Sequence, residues 1–370
     1  MSWATQLGRS LPEMSAAAGL ATAGAVIDFV VGRGACQRHV VTTGAGANEL
    51  RRRASKLRVS LAVFIIRRVL WTVPLLLLVM LATFALMRGS GGDPFRPPEG
   101  YSGVPGPLQR ELEAFYHLHE PWFVEFVYYV KNVFTFNFGP SMVQRDLDIN
   151  DLIRVSFPVT LELVLLATAL AVPLGISLGV LAATHRNTAI DFLATSTASL
   201  LLVVPVFFVS YVCSRYLVLE WHLVPAGWAG WDTKVLPALS LALAPTGYIA
   251  RLIRAAVVET LQEDFVRTAR AKGLQHRRII WLHVLKNSLV PLLSAAVPML
   301  ALLITGAFFV ESSFGIPGAS RAFIEGALTR DYPMIMGMTS ALAVVVLAAN
   351  LLADILLAMI DPRMREATPA

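Results

Sequence analysis

Apolar residues in this chain gather into long runs separated by polar, patterned stretches. Six runs stand out, at about Val69 to Met87, Pro158 to Ala183, Ile190 to Cys213, Leu236 to Ala256, Leu289 to Val310 and Met334 to Ile360. At about 1.5 Å per residue, about 20 helical residues cross a hydrocarbon core about 30 Å thick. Backbone polar groups in lipid must be satisfied within the segment, so each run is expected to be a helix. The pattern therefore predicts an all-α, polytopic membrane protein with six transmembrane helices.

Composition agrees. Hydrophobic residues make up 56% of the 370 and charged residues 15%, against about 25% charged in an ordinary soluble domain. The net charge of +6 would also suit a nucleic-acid binder. Here, however, the basic residues collect between apolar runs, as in the cytoplasmic loops of membrane proteins. No nucleic-acid partner is expected; the partner implied is the lipid bilayer. Cys36 and Cys213 lie far apart, so the spacing suggests neither a disulfide framework nor a cysteine-based zinc site.

Charge asymmetry orients the helices. Arg51, Arg52, Arg53, Lys56 and Arg58 precede the first span, the loop after the fourth is basic, and Arg363 and Arg365 follow the last. The 88–157 stretch is net acidic. The positive-inside rule then puts both termini in the cytoplasm and the 88–157 insertion, between helices 1 and 2, outside. Residues 1–63 read as a weakly structured cytoplasmic extension. The Ser15 to Val31 stretch carries Asp28, is Ala-rich and makes a poor span, and a later true start would leave the same residues.

The polar loop at 258–288 is the most patterned. Gln262 to Pro291 reads QEDFVRTARAKGLQHRRIIWLHVLKNSLVP. Glu263 and Asp264 open a short helix; Arg267, Arg270 and Lys272 close it, matching the helix dipole. Gly273 supplies a left-handed stop, and a second helix begins near Gln275 and runs into the fifth span. Two short helices meeting at a glycine would form a rigid knob; a solvated basic loop is the plainer alternative.

At these residues the chain resembles the cytoplasmic coupling loop of binding-protein-dependent ABC importer permeases, in the form used by the peptide and nickel subgroup. The resemblance implies that Ala269, Arg270, Ala271, Lys272, Gly273 and Leu274 form the turn that docks on an ATPase subunit. The usual Glu-Ala-Ala opening reads Arg267, Thr268, Ala269 here. Further stretches resemble the first (B-type) permease subunit of dipeptide and oligopeptide systems: Phe64 to Met87, GGDP at Gly91 to Pro94, Phe157 to Ala183, Glu220 to Trp228, Leu236 to Pro245, Val310 to Gly337 and Asn350 to Arg365. Asn137-Phe138-Gly139 replaces the usual Gly-Asp-Leu-Gly. The resemblance covers about 64–365 and implies a type I importer permease, placed in the bacterial inner membrane. Its implied partners are a second homologous permease, two ATPase subunits and an extracytoplasmic solute-binding protein. Dipeptides and oligopeptides fit the subgroup as cargo; nickel complexes, glutathione and haem belong to similar systems.

No lysine follows a glycine as a phosphate loop requires, and neither H-E-x-x-H nor G-x-S-x-G occurs. The expectation is a transport subunit without its own ATPase site, binding no cofactor or metal itself, with ATP and Mg held by partner subunits. An ion-gradient-driven secondary transporter would show more spans and more midplane charge. An intramembrane enzyme would need a convergent catalytic set. His117 and His119 read as surface residues. Asp354, a carboxylate inside the last span, should lie near its cytoplasmic end and pair, with Arg251 or Arg254 as candidates. Gly175, Gly179, Pro205, Gly247 and Gly306 allow two readings, close helix packing or hinges.

Topology is directly testable. Single cysteines replacing Ser102 and Gln275, in a background lacking Cys36 and Cys213, should react from opposite sides of the membrane. An impermeant maleimide should label position 102 in intact cells; labelling of position 275 there would overturn the orientation.

Overall fold

The computed structural model describes residues 44–89, 106–144 and 147–360. Cys36, the Gly91 to Pro94 motif, Arg363 and Arg365 lie outside the described residues. The chain divides into two units, Met1–Val59 and Ser60–Ala370, and the packing below belongs to the second. Helix α1 covers Gly44–Gly89. Residues 44–63, expected to be weakly structured, are therefore helical, in keeping with the strong helix formers Ala, Leu, Arg and Lys there.

Next come α2 (Gly106–Phe115) and α3 (Trp122–Phe134), both in the insertion. Helix α4 (Ile149–Thr184) is followed by α5 (Ala189–Val203) and α6 (Val206–Glu220). Helix α7 is Trp231–Thr260, α8 is Asp264–Ala271 and α9 covers 276–288. The chain closes with α10 (Val290–Phe314), α11 (Ala319–Thr329) and α12 (Tyr332–Ile360). Among the described residues four helices are long and apolar enough to span, or up to six if each of two bent pairs counts as one.

The bends modify two expected spans. Between α5 and α6 the chain turns by 90°. The break is at Pro205: the residue before a proline is pushed to extended geometry, and Val204 has ψ 121. Between α10 and α11 the turn is 73°, made by Gly315 at φ +66, so part of the expected outer loop is helix. The other spans run longer than their apolar cores. Helix α4 starts at Ile149 because Asp148 caps it, its Oδ1 accepting the Asn150 N–H at 2.8 Å.

Helices α4 and α7 form the most extensive pair. Gly175 and Gly179, one turn apart, let the backbones touch. A Cβ on Gly179 would lie 2.6 Å from the Ala250 carbonyl oxygen, and one on Gly175 would lie 2.6 Å from Ile249 Cβ. Gly247 does the same towards α5, where a Cβ would lie 2.3 Å from the Ala198 carbonyl. These glycines serve packing, the small-residue contact that holds helices in lipid. The largest core, with Leu163, Leu241, Ile249, Ile253, Val257 and Leu303, surrounds this crossing.

A second core joins α1, α3, α11 and α12 through Met80, Phe84, Tyr129 and Met338. Beside it, Asp331 is fully buried and caps α12, its Oδ1 accepting the Met334 N–H at 3.2 Å. It also accepts from Ser141 Oγ and from the Met142 N–H, tying the end of the insertion to the last span. Burial pushes its carboxyl above the usual carboxylate range. Gly139, at φ +79, and a bridge between Pro140 and Asp148 shape the turn at Asn137-Phe138-Gly139. His117 stacks on Tyr128, and His119 Nε2 lies 3.0 Å from Glu113 Oε2.

The glycine contact predicts its own disruption. Gly247→Val must push α5 off α7, an overpacking cost of about 1–3 kcal/mol or more. Its Tm should fall clearly below wild type. Gly306→Ala, whose Cβ would meet the flexible end of Leu241 at 3.0 Å and Val206 at an ordinary 3.9 Å, should leave Tm nearly unchanged. Equal Tm values for Gly247→Val and wild type would refute the close-packing account.

Candidate functional site

The polar loop folds as a knob, not as a loose linker. Helix α8 opens at Glu263, with Asp264 in its first turn and Arg270 in its last. It ends in a Schellman turn. The Gly273 N–H donates to the Arg270 carbonyl at 2.9 Å, and the Leu274 N–H to the Ala269 carbonyl at 3.3 Å. Gly273 holds φ +76 with open space around it, so glycine is required by conformation rather than by crowding. Leu274 and Ala269 supply the apolar contact that accompanies such turns, both joining the main core.

The six residues singled out from the sequence thus divide by role. Arg270, Ala271, Lys272 and Gly273 are exposed at the tip, whereas Ala269 is buried and Leu274 half-buried. The knob is anchored through Val266, Ile279, Ile280 and Val284, which share one buried cluster with Ile253 and Val257 of α7 and Val180 and Ala183 of α4. Its second helix contains a π-helical turn at Ile279–Val284. Ser288 Oγ then bonds Thr260 Oγ1 at 3.2 Å, joining the end of α9 to the end of α7. The tip is thus tied to α7 and α10 by packed side chains.

The stem of the knob carries an ion pair that sequence reasoning missed. Arg254 of α7 grips Asp191 of α5 with both prongs, Nε to Oδ1 at 2.7 Å and an NH group to Oδ2 at 2.8 Å. Asp191 is buried and also accepts from the Asn187 N–H at 3.0 Å and the Thr195 hydroxyl at 3.2 Å. The available signal was a lone carboxylate in the first turn of an apolar helix. Three exposed apolar residues of the knob, Phe265, Trp281 and Leu282, were also passed over.

Asp354 finds a different partner from those expected. Arg254 is committed to Asp191, and Arg251 is exposed on the surface of α7. Asp354 Oδ2 instead meets Arg68 Nε of α1 at 2.5 Å. Helix α1 begins its apolar run beside Arg68, so the first and last spans are joined at one level. Arg215, a charge near the end of α6, pairs with Glu220 at 2.8 Å.

Comparison with known proteins identifies the family. Residues 175–366, which include the knob and its stem, match the family described as binding-protein-dependent transport system inner membrane component. The chain belongs to this family; it is a multi-pass permease component that works with other components of a transport system. It is 36% identical over 306 residues to the dipeptide transport system permease protein DppB of Bacillus subtilis (strain 168), covering 82% of this chain and 98% of that protein. It is 38% identical over 305 residues to the oligopeptide transport system permease protein OppB of Escherichia coli (strain K12), covering 82% and 99%. Among solved structures, an amino acid ABC transporter with histidines aligns at a TM-score of 0.45 and 20% identity, covering 58% of this chain and 94% of that one. The secondary-transporter alternative is set aside by this membership.

Asp191→Ala should leave the Arg254 guanidinium without its bidentate acceptor, at a cost of about 1–3 kcal/mol. Purified protein should show a lower Tm, and Asp191→Ala with Arg254→Ala should lose less than the sum of the single changes. Full additivity in that double-mutant cycle would refute the coupling.

Proposed function

We propose that the chain forms half of the translocation path of an ATP-driven importer of dipeptides or oligopeptides. A second, homologous permease supplies the other half. Two ATPase subunits dock on the knob from the cytoplasm, and an extracytoplasmic binding protein delivers cargo to the opposite end. Hydrolysis, with ATP and Mg, belongs to the ATPase subunits. In this reading both termini are cytoplasmic, the protein lies in the bacterial inner membrane, and the insertion with α2 and α3 faces outward as a seat for the binding protein. The peptide cargo rests on the relatives named above.

One observation carries the coupling role: an exposed Schellman turn anchored by buried side chains to the same core as the α4–α7 crossing. The tip offers Arg270 and Lys272 as cations and Ala271 and Gly273 as small residues that allow close approach. Asp264 and Glu263 are exposed at the opposite end of α8. Phe265, Trp281 and Leu282 on the same helical pair add exposed apolar area. ATP-driven closure of the ATPase pair would push this rigid turn, and α7 and α10 would follow as its direct continuations.

Two substitutions test this without touching the spans. Ala271→Glu places a carboxylate in the docking contact, weakening it by about 1–3 kcal/mol, which is about five- to 150-fold. Gly273→Val forces a β-branched residue into left-handed geometry. Gly273→Asn, which tolerates that geometry, should retain most transport. Membrane level, ATPase stoichiometry and substrate-stimulated hydrolysis are read on one preparation. Both disruptive variants should insert normally yet lose bound ATPase or stimulated hydrolysis. Wild-type values for all three, with normal transport, would reduce the knob to a passive linker.

A further inference from the structure

A cavity of about 330 Å³ lies where α1, α10, α11 and α12 meet, away from the knob. Its walls are mostly apolar: Leu86, Ile304, Phe308, Phe323, Ile335 and Met338. Phe308 and Phe323 pack edge to face with centroids 5.5 Å apart. Glu311, Ser320 and Thr339 are also in the lining, and three of their oxygens, Glu311 Oε1, Ser320 Oγ and Thr339 Oγ1, are buried with no hydrogen-bond partner in the protein.

The carboxylate is held in place. Glu311 is 1% exposed, and its Oε2 accepts the Ser320 N–H at 3.0 Å. Its carboxyl carbon fills the space of an absent side chain, since a Cβ on Gly318 would lie 2.2 Å from it. Thr160, on the same wall, accepts the Ala319 N–H at 3.0 Å and donates to the Ser156 carbonyl at 3.4 Å. One carboxylate oxygen thus serves the helix and the other is left over, beside two unused hydroxyls. None of the described residues lining the cavity is basic.

Buried polar atoms are nearly always partnered, and an unpaired buried carboxylate is costly. Water would supply hydrogen bonds but no charge. A calcium ion takes six to eight oxygens, more than these groups offer. An ammonium group brings one positive charge and three N–H donors, matching one carboxylate oxygen and two hydroxyls. The apolar remainder of the cavity suits a small hydrocarbon or aromatic body on that nitrogen. We infer that this cavity binds a primary ammonium group carried on a small apolar body, with Glu311 as its anion and Ser320 and Thr339 as further acceptors. Such a group can come from the amino terminus of a peptide or from an aminophospholipid headgroup. The site itself does not depend on the proposed cargo; only the peptide arm of the test rests on that reading.

The test uses the full chain, purified with its associated subunits in nanodiscs of phosphatidylcholine alone, with phenethylammonium as the probe followed by calorimetry. Saturable binding is expected in the wild type. 2-Phenylethanol, which lacks the charge, and the trimethylammonium analogue, which lacks the N–H donors, should each bind at least about tenfold more weakly. Glu311→Gln should abolish binding. Thr339→Val keeps the shape of the wall and should weaken it about fivefold, which leaves the idea testable if Glu311→Gln does not assemble. Absence of saturable binding in the wild type, or equal binding of the trimethylammonium analogue, would overturn the site. Two competitions identify the natural donor: added phosphatidylethanolamine, and a hydrophobic tripeptide against its N-acetylated form. Competition by phosphatidylethanolamine, or by the free but not the acetylated peptide, supports the site and names its source. If neither competes, the inference falls, while the ATPase coupling measured at Gly273 and Ala271 is untouched.

Discussion

Everything in the helical body depends on how closely α4, α5 and α7 approach one another. In lipid the hydrophobic effect gives helices no reason to associate, so contact distance decides. Gly175, Gly179 and Gly247 remove the side chains that would hold the backbones apart. The core residues around the crossing, such as Ile249, Ile253 and Val257, are then fully buried. The knob is built on that core and has no separate one of its own.

The same dependence makes the knob a rigid extension of the bundle. Its tip is polar and exposed, but Val266, Ile279 and Val284 lie in the same cluster as Ile253 and Val257. The Asp191–Arg254 pair fixes α5 to the stem two turns before the knob begins. Packed cores do not deform continuously. The tip at Gly273 therefore stands on a packed base, and Gly175, Gly179 and Gly247 inside the spans are contacts.

At the other end of the bundle, carboxylates organise the turns. Asp148 caps α4, Asp331 caps α12, and Glu311 binds the first turn of α11. Each satisfies backbone N–H groups that no other helix residue can reach. In the insertion Glu125 is drawn into contact with Arg88, yet burial still pushes its carboxyl above the usual range. Burial likewise pushes the Tyr129 phenol up to about 12, beside Ser340. These groups are held inside protein, and Glu311 stands apart because one of its oxygens is left unused.

Much of this was legible in the sequence, because local rules govern it. Apolar runs of span length must be helices in lipid. Gly273 after a basic last turn signals a left-handed stop, and the structure forms one. The match to the transport family rests on the same linear patterns. What the sequence left open involves partners distant along the chain. Asp354 meets Arg68 across 286 residues, and Asp191 meets Arg254 across 63; charge pairing has no periodicity that a linear reading can detect. Pro205 was visible as a breaker and Gly315 was not singled out, and the bends of 90° and 73° follow from how each half-helix packs. The choice between hinge and contact for Gly175, Gly179 and Gly247 was also tertiary. A glycine permits either, and only the backbone lying 2.3 to 2.6 Å from an imagined side chain of Gly247 or Gly179 selects contact.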